Sequence, residues 1–269
     1  MLELNHIYCG DCCDIMEKMD ENSIDLVVTS PPYDDMRDYK GYWFDVIDVA
    51  RHLYRIMKDG SVIVWVVGDK STDGGETLTS LHHALTFQSI GFKVRTMIYK
   101  KAGVNYPSKY FYDKQFEYMF LFIKGDVKKT NVFNPIRDRP NKWAGHSNWG
   151  DITSRQKDGS LKLQKTKEAN TYVIPEFGKR TDVWEYATGK GNTSRDSEAF
   201  EHPAPFPEKL VEDHIISWTN PGDIVFDPMS GGGTTLKVAK LLGRNYIGCD
   251  MSETYCEIAE RRLKKYDKH

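Results

Sequence analysis

Apolar residues follow two rhythms along this chain, and the two alternate. Ile24-Asp25-Leu26-Val27-Val28-Thr29 is a short, nearly continuous apolar run that stops at Pro31-Pro32, the pattern of a buried strand ending in a loop. From Trp43 to Met57 the apolar positions are 43, 46, 47, 50, 53, 54 and 57, which is helical spacing, and Gly60 follows as a stop. Residues 61–67 read as the next buried strand. Leu78 to Ile90 reads as a helix closed by Gly91, and Lys93 to Lys100 and Glu117 to Ile123 as two further strands. The alternation resumes near Pro207. Leu210, Val211 and Ile215 mark a helix, residues 223–227 a strand, Leu236 to Leu242 a short helix before Gly243, and residues 245–250 a strand. Tyr255, Ile258, Ala259 and Leu263 mark a last amphipathic helix. Strands alternating with helices predict an α/β fold with a doubly wound, mostly parallel sheet.

The rhythm fails between Gly125 and Thr181. The segment is polar, with Asn141, Trp143, His146, Asn148 and Trp149 among its turn residues, and at about 55 residues it is too long for a structureless loop inside a compact domain. The expected organisation is therefore two halves of one domain, residues 1–125 and 182–269, with an insert at 126–181. Charge sharpens this division. The chain carries a net −2, yet residues 126–181 hold 12 Lys/Arg against 6 Asp/Glu, a net of +6, which leaves −8 for the remainder. A cationic face for phosphates on an acidic body has that distribution, and so does a solvated lysine-rich loop.

Composition removes several classes. Hydrophobic content of 39% and aromatic content of 12% suit a globular protein. No stretch approaches the roughly 20 apolar residues of a membrane span, so no membrane partner is expected. Residues 1–6 show neither a basic leader nor an apolar signal core, and the expected location is the cytoplasm. The cysteines are Cys9, Cys12, Cys13, Cys249 and Cys256, an odd count that argues against a disulfide framework. Cys9-x-x-Cys12 has the spacing of half a zinc site, but no second pair or His-x-x-x-His completes it, so no metal is expected.

Two stretches carry candidate chemistry. Phe226-Asp227-Pro228-Met229-Ser230-Gly231-Gly232-Gly233-Thr234-Thr235 places bare backbone at the C-terminal end of a strand, where open α/β sheets bind ligands. Asp250 ends the following strand, 19 residues after Gly231, at a distance from which a carboxylate can hold ribose hydroxyls. A phosphate-binding loop would need Gly-Lys-Ser/Thr, and a dinucleotide fingerprint would need glycine at position 236, which is leucine. A nucleoside without a pyrophosphate fits better, and S-adenosylmethionine is one; a glycine-rich turn without a ligand is the bland alternative.

Thr29-Ser30-Pro31-Pro32-Tyr33 is the more specific stretch. The amino group of a nucleobase is a poor nucleophile because its lone pair is delocalised into the ring. Acceptors aimed at its hydrogens localise that pair, and the Ser30 hydroxyl and the Pro31 carbonyl are two such acceptors. The prolines fix the loop and bring no competing N–H. Tyr33 offers a flat face on which an extruded base can stack.

These stretches resemble the catalytic and cofactor motifs of the amino-methylating DNA methyltransferases of bacterial and phage modification systems. The catalytic motif precedes the cofactor motif, with the basic insert between them, an order that resembles the β class, whose insert is the target-recognition domain. The resemblance covers roughly residues 5–125 and 180–265. It implies a Rossmann-like, circularly permuted methyltransferase fold, S-adenosyl-L-methionine as cofactor, double-stranded DNA as substrate and the option of a companion restriction endonuclease. His202-Pro-Ala-Pro-Phe206-Pro resembles the segment that packs against the methionine part of the cofactor, residues 180–184 its lead-in, and Gly10-Asp11 another cofactor-side position. The implied site is Ser30, Pro31, Pro32 and Tyr33 for catalysis. Asp11, Thr29, His202, Phe206, Phe226, Asp227, Pro228, Ser230, Gly231, Gly233, Thr234 and Asp250 are implied for the cofactor, and Arg137, Arg139, Lys142 and Arg155 for DNA. Met229 stands where the family often has phenylalanine, Gly232 where it has a second small polar residue, and Phe116-Glu117 where a His-Glu pair is common. Serine at the first catalytic position accompanies cytosine N4 methylation in that family, and aspartate adenine N6. The expected reaction is direct in-line transfer to a flipped cytosine, since the motif holds no cysteine for a covalent intermediate. Adenine methylation, RNA-base methylation and a DNA-binding relative without catalysis are the alternatives.

Overall fold

The computed structural model describes residues 2–32, 44–72, 74–103, 109–147, 152–164, 173–189, 191–202 and 205–267. Two compact units are present: Met1–Asn134 with Asp182–His269, and Pro135–Thr181.

The larger unit is built on an eight-stranded sheet. Its strands in chain order are β1 (His6–Cys9), β2 (Ile24–Thr29), β3 (Met57–Val67), β4 (Lys93–Ala102), β5 (Phe116–Ile123), β6 (Val183–Ala187), β7 (Ile224–Asp227) and β8 (Asn245–Asp250). They lie side by side as β1-β8-β7-β2-β3-β5-β4-β6. Every neighbouring pair is parallel except the two made by β5, which runs against β3 and β4. The helices are α1 (Cys12–Glu17), α2 (Val46–Ile56), α3 (Thr79–Ile90), α4 (Glu208–Trp218), α5 (Thr234–Leu241) and α6 (Glu253–Lys264). This is the doubly wound, mostly parallel sheet that the alternating pattern predicts.

Local chemistry explains the elements. Asp45 caps α2 by accepting from Ile47 N at 2.9 Å and Asp48 N at 3.2 Å, and Val46, Val49, Ala50, Leu53 and Ile56 form its buried stripe. The helix ends at Ile56, before the expected glycine stop, because Met57 is already extended and opens β3. Gly60 instead lies within β3 with φ near +79°, where a Cβ would stand 2.5 Å from the Lys129 carbonyl. Its glycine is needed for that close approach of main chains. The expected stop after α3 holds: Gly91 caps it at φ +123°. At the start of α3, the Asp69 carboxylate accepts from both Ser80 N (2.8 Å) and Ser80 Oγ (2.6 Å).

From Ser61 to Val67, β3 is buried on both faces, as a strand between two helical layers must be. Its Trp65 packs in one cluster with Phe87, Phe92, Phe120 and Phe122, with the rings of Phe87 and Phe122 stacked 4.0 Å apart. Each such ring contributes on the order of 1.5–3 kcal/mol when taken out of water. Among the described residues no helix is long and apolar enough to cross a membrane.

The smaller unit has its own short ladders. Ile152–Arg155 pairs antiparallel with Leu161–Gln164, and Arg139–Pro140 with Phe177–Gly178. The Arg180 guanidinium grips Asp138 through Nε (2.9 Å) and Nη2 (2.5 Å). The stretch before this unit is held by the larger one: Asn131 Nδ2 donates to the Asp59 carbonyl at 2.7 Å, and Asn134 N to that of Ser217 at 2.8 Å.

Candidate active site

Chain reversal in the sheet places the site. From β7 the chain moves to β8 on one side, whereas from β2 it moves to β3 on the other, so the order reverses between β7 and β2. Ligands of open α/β sheets bind outside the strand ends at such a point. Four consecutive strands, β1, β8, β7 and β2, deliver Asp11, Asp250, the glycine loop and Ser30 to that edge.

The two sequence motifs touch. Thr29, the last residue of β2, donates its hydroxyl to Asp227 Oδ1, the last residue of β7, at 2.7 Å and 198 residues away in sequence. The main-chain N–H of Met229 donates to the same oxygen at 3.2 Å, and Thr235 Oγ1 donates to the Val28 carbonyl at 3.1 Å. The end of the strand that leads into Ser30-Pro31-Pro32 is thereby pinned twice to the glycine loop and the helix it opens. Burial pushes the Asp227 carboxyl up to about 6, against the opposing pull of Thr29, Thr235 and the Met229 amide.

Asp250 organises the glycine loop. Its Oδ2 accepts the Gly231 N–H at 2.8 Å and its Oδ1 the Ser252 N–H at 2.9 Å. Each oxygen keeps a further lone pair for another donor. Burial raises this carboxyl above the usual range despite those two amides. Ser230 is tied to the Cys249 carbonyl through both N (2.9 Å) and Oγ (3.1 Å), and the Cys249 thiol donates to the Pro228 carbonyl at 3.1 Å. Gly231 and Gly233 both have positive φ. A Cβ on Gly233 would stand 2.6 Å from that of Ala259, and a Cβ on Gly231 would stand 2.8 Å from Nε2 of His202. His202, half-buried, is thus laid directly over the loop, edge-to-face with Tyr255 at 4.5 Å.

The other named residues fall as follows. Ser30 and Pro32 are half-buried and Pro31 is buried at the tip of β2. Tyr33 lies outside the described residues, as do Pro203 and Ala204. Asp11 caps α1, accepting from Cys13 N at 2.7 Å. The Phe226 ring is fully buried in the core, so that residue meets the strand end with its main chain alone. Pro228 and Thr234 are buried in the loop and Phe206 is half-buried. Glu117 pairs with Lys101 at 2.5 Å. Arg137, Arg139, Lys142 and Arg155 belong to the smaller unit, which carries 10 Lys/Arg against 5 Asp/Glu within residues 135–181. Each of the four is at least partly open to solvent. The Arg139 guanidinium lies over Gly178, where a Cβ would stand 2.8 Å from Nη2, and Lys142 Nζ is 5.5 Å from the exposed Trp143 ring.

Sequence reasoning missed two groups of residues. Cys13 meets Asp48 and His52 of α2, ligand atoms lying within 4.8 Å of one another, which spacing around Cys9-x-x-Cys12 could not reveal. Beneath the glycine loop, Asp196, Glu208, Lys237 and Arg262 form a buried charge network. Its only sequence signal was the conflict of Lys237 and Arg262 with the inward faces of α5 and α6.

The profile of the DNA methylase family matches residues 24–261, a span that holds both motifs and the smaller unit. The chain belongs to the DNA methylase family. The orphan methyltransferase M.BamHII of Bacillus amyloliquefaciens is 47% identical over 93% of this chain and 92% of its own length. The Type II methyltransferase M.BglII of Bacillus subtilis is 31% identical over 97% of this chain and 69% of its own. Among solved structures, a DNA modification methylase of Thermus thermophilus, complexed with S-adenosyl-L-methionine, superposes with a TM-score of 0.63 at 22% identity, over 98% of this methylase and 95% of that chain. The PvuII DNA methyltransferase, which is cytosine-N4-specific, has a TM-score of 0.66 at 18% identity, over 98% and 87%. At these identities the two structures speak for the fold alone.

Proposed function

We propose that this methylase transfers a methyl group from S-adenosyl-L-methionine to the exocyclic N4 amino group of a cytosine flipped out of double-stranded DNA. The observation that carries the reading is the 2.7 Å bond from Thr29 to Asp227, which joins the Ser30-Pro31-Pro32 tip to the glycine loop at the reversal point of the sheet. A base amino group offered at one motif and a methyl donor at the other would meet there.

The residues fit that cofactor. Bare backbone at Gly231 and Gly233 leaves room for close approach, and Asp250 keeps acceptor capacity for ribose hydroxyls. Burial disfavours charge on both Asp227 and Asp250, and a cationic ligand relieves that cost. When bound, S-adenosyl-L-methionine supplies an electrophilic methyl on a sulfonium. Asp250 would hold and orient it, His202 and Phe206 would cover its methionine side, and Asp11 lines the neighbouring strand end. Ser30 Oγ and the Pro31 carbonyl accept from the amino hydrogens, Tyr33 stacks on the base, and proximity supplies most of the acceleration. The proton leaves the product amine to solvent.

The choice of cytosine rests on Ser30, a neutral acceptor where the adenine enzymes resembled above carry a carboxylate. The smaller unit, with Arg137, Arg139, Lys142 and Arg155, is assigned to target recognition. Digesting DNA methylated in vitro and identifying the modified nucleoside tests the reading. N4-methyl-2′-deoxycytidine is expected; N6-methyl-2′-deoxyadenosine alone would replace cytosine by adenine, and no incorporation into DNA would remove the reading altogether.

A further inference from the structure

Between Ser230 and Thr234 the loop that takes the cofactor has no side chains, and glycine backbone holds a single shape only when its surroundings impose one. Asp250 holds the N–H of Gly231, and the Ser230 carbonyl that of Gly233 at 2.7 Å. The Gly232 carbonyl is gripped from below by Arg262 Nη1, which also lies 3.3 Å from Thr234 Oγ1. Arg262 is fully buried. Its Nε reaches Asp196 Oδ2 at 3.2 Å and its Nη2 reaches Glu208 Oε1 at 3.1 Å. Lys237, from α5, donates to the same two oxygens, at 2.8 Å each. Tyr266 adds its hydroxyl to Asp196 Oδ1 at 2.8 Å, and Ser194 its own to Glu208 at 2.5 Å.

The network ties three pieces of chain together: the glycine loop with α5, helix α6, and the stretch from Ser194 to Glu208. That last stretch also carries His202, whose ring lies on Gly231. One segment therefore covers the loop from above and is anchored beneath it by the arginine that holds the loop's middle carbonyl. Two buried cations against two carboxylates add little net stability, since well-packed apolar residues commonly serve a fold as well. What apolar residues cannot do is hold a carbonyl and a covering segment in fixed relation.

We propose that Arg262 is a positioning residue for the cofactor, fixing the glycine loop in its binding shape and locking the His202 segment to it. The inference rests on the reading that this loop takes S-adenosyl-L-methionine. Arg262→Lys keeps the charge but loses the planar fork that serves Gly232, Asp196 and Glu208 at once. Calorimetry with S-adenosyl-L-methionine should show its Kd raised about tenfold, equivalent to about 1.4 kcal/mol. The KM for DNA and kcat at saturating cofactor should stay within about twofold of wild type, a split that general loss of structure would not give. A folded Arg262→Lys protein with a lower melting temperature and wild-type cofactor Kd overturns the assignment. Should that variant not fold, Tyr266→Phe decides: it removes one anchor of Asp196, and about a threefold rise in cofactor Kd is expected, equivalent to about 0.7 kcal/mol. An unchanged Kd overturns the proposal. Wild-type protein that fails to bind the cofactor overturns the reading of the loop itself. Wild-type binding that is lost in Asp250→Asn and kept in Arg262→Lys overturns the role of Arg262 alone.

Discussion

Replacing Asp227 by asparagine isolates the energetic consequence of putting a carboxylate between the two motifs. Burial raises its pKa from 3.8 to about 6. A raised carboxyl favours the fold most where it is protonated in both states. The advantage is present below the unfolded value and is lost as pH rises through the folded one. At 1.36 kcal/mol per pKa unit the ionised group costs the fold about 3 kcal/mol at pH 7.5. Near pH 5 the carboxyl is mostly protonated in the fold and mostly ionised in the unfolded chain, and the cost falls to about 1.6 kcal/mol. Between pH 7.5 and 5 the wild-type protein should therefore gain about 1.4 kcal/mol relative to Asp227→Asn, in which this titration is absent. At about 2–4 °C per kcal/mol, that is a relative shift in Tm of roughly 3–6 °C. Thermal melts of both proteins at the two pH values read it directly, and the titrating groups remote from Asp227 are common to both. The absolute stability of the variant does not matter, because asparagine must also find a partner for its amide. Parallel pH profiles, with a difference below about 1 °C, would show that Asp227 titrates normally and refute the reasoning.

The other expectations are more direct. Asp250→Ala should raise the Kd for S-adenosyl-L-methionine by about 10–100-fold, because bonds to a charged acceptor are worth roughly 1.5–3 kcal/mol; wild-type affinity in calorimetry would remove Asp250 from the site. Ser30→Ala should lower kcat by about 10–100-fold with cofactor binding intact, and an unchanged single-turnover rate would exclude its hydroxyl as an acceptor in the transfer step. Neutralising a phosphate-contacting residue among Arg137, Arg139, Lys142 and Arg155 should weaken DNA binding and reduce the slope of log K against log salt by about 1. Slopes unchanged in all four variants would move DNA binding off the smaller unit. Extensive dialysis against a chelator should leave methyl transfer intact, and loss of activity restored by zinc would direct attention to Cys13, Asp48 and His52.

What could be read in the sequence was whatever is periodic or carried by consecutive residues. The runs at 24–29 and 61–67 gave buried strands because both faces of those strands are covered, and the glycine loop and Ser-Pro-Pro gave the candidate site because each is contiguous. β1 and α1 escaped the hydrophobic pattern because four and six residues hold too little of either period. β6 is different: Val183-Trp184-Glu185-Tyr186-Ala187 alternates in burial with period two, so its signal was present and was absorbed into the description of a motif. The charge network escaped because its members lie at 196, 208, 237 and 262, and only the packing of α4, α5 and α6 brings them together. Residue type pointed the wrong way there, since lysine and arginine usually mark a solvated face.

The site and the core are parts of one object in this fold. β7 is four residues long: Val225 and Phe226 are fully buried, and Asp227 is the tip that bonds Thr29. The alignment of that tip with Thr29 is set by the register in which Val225 and Phe226 face Leu26 and Val27 of β2. A slip of one residue would turn Asp227 away from Thr29 and carry Phe226 to the opposite face of the sheet, so the packing of two apolar pairs enforces a polar contact that it does not touch. The same holds one strand over, where Asp250 ends β8 opposite Cys9 of β1 and so comes beside the loop that leads to Asp11. Neighbourhood in the sheet, and not order along the chain, is what assembles these groups. A candidate cofactor motif at 226–235 can therefore lie beside a candidate catalytic motif that begins at Thr29, with a whole basic unit between them in sequence, provided that the strands carrying the two motifs stay adjacent.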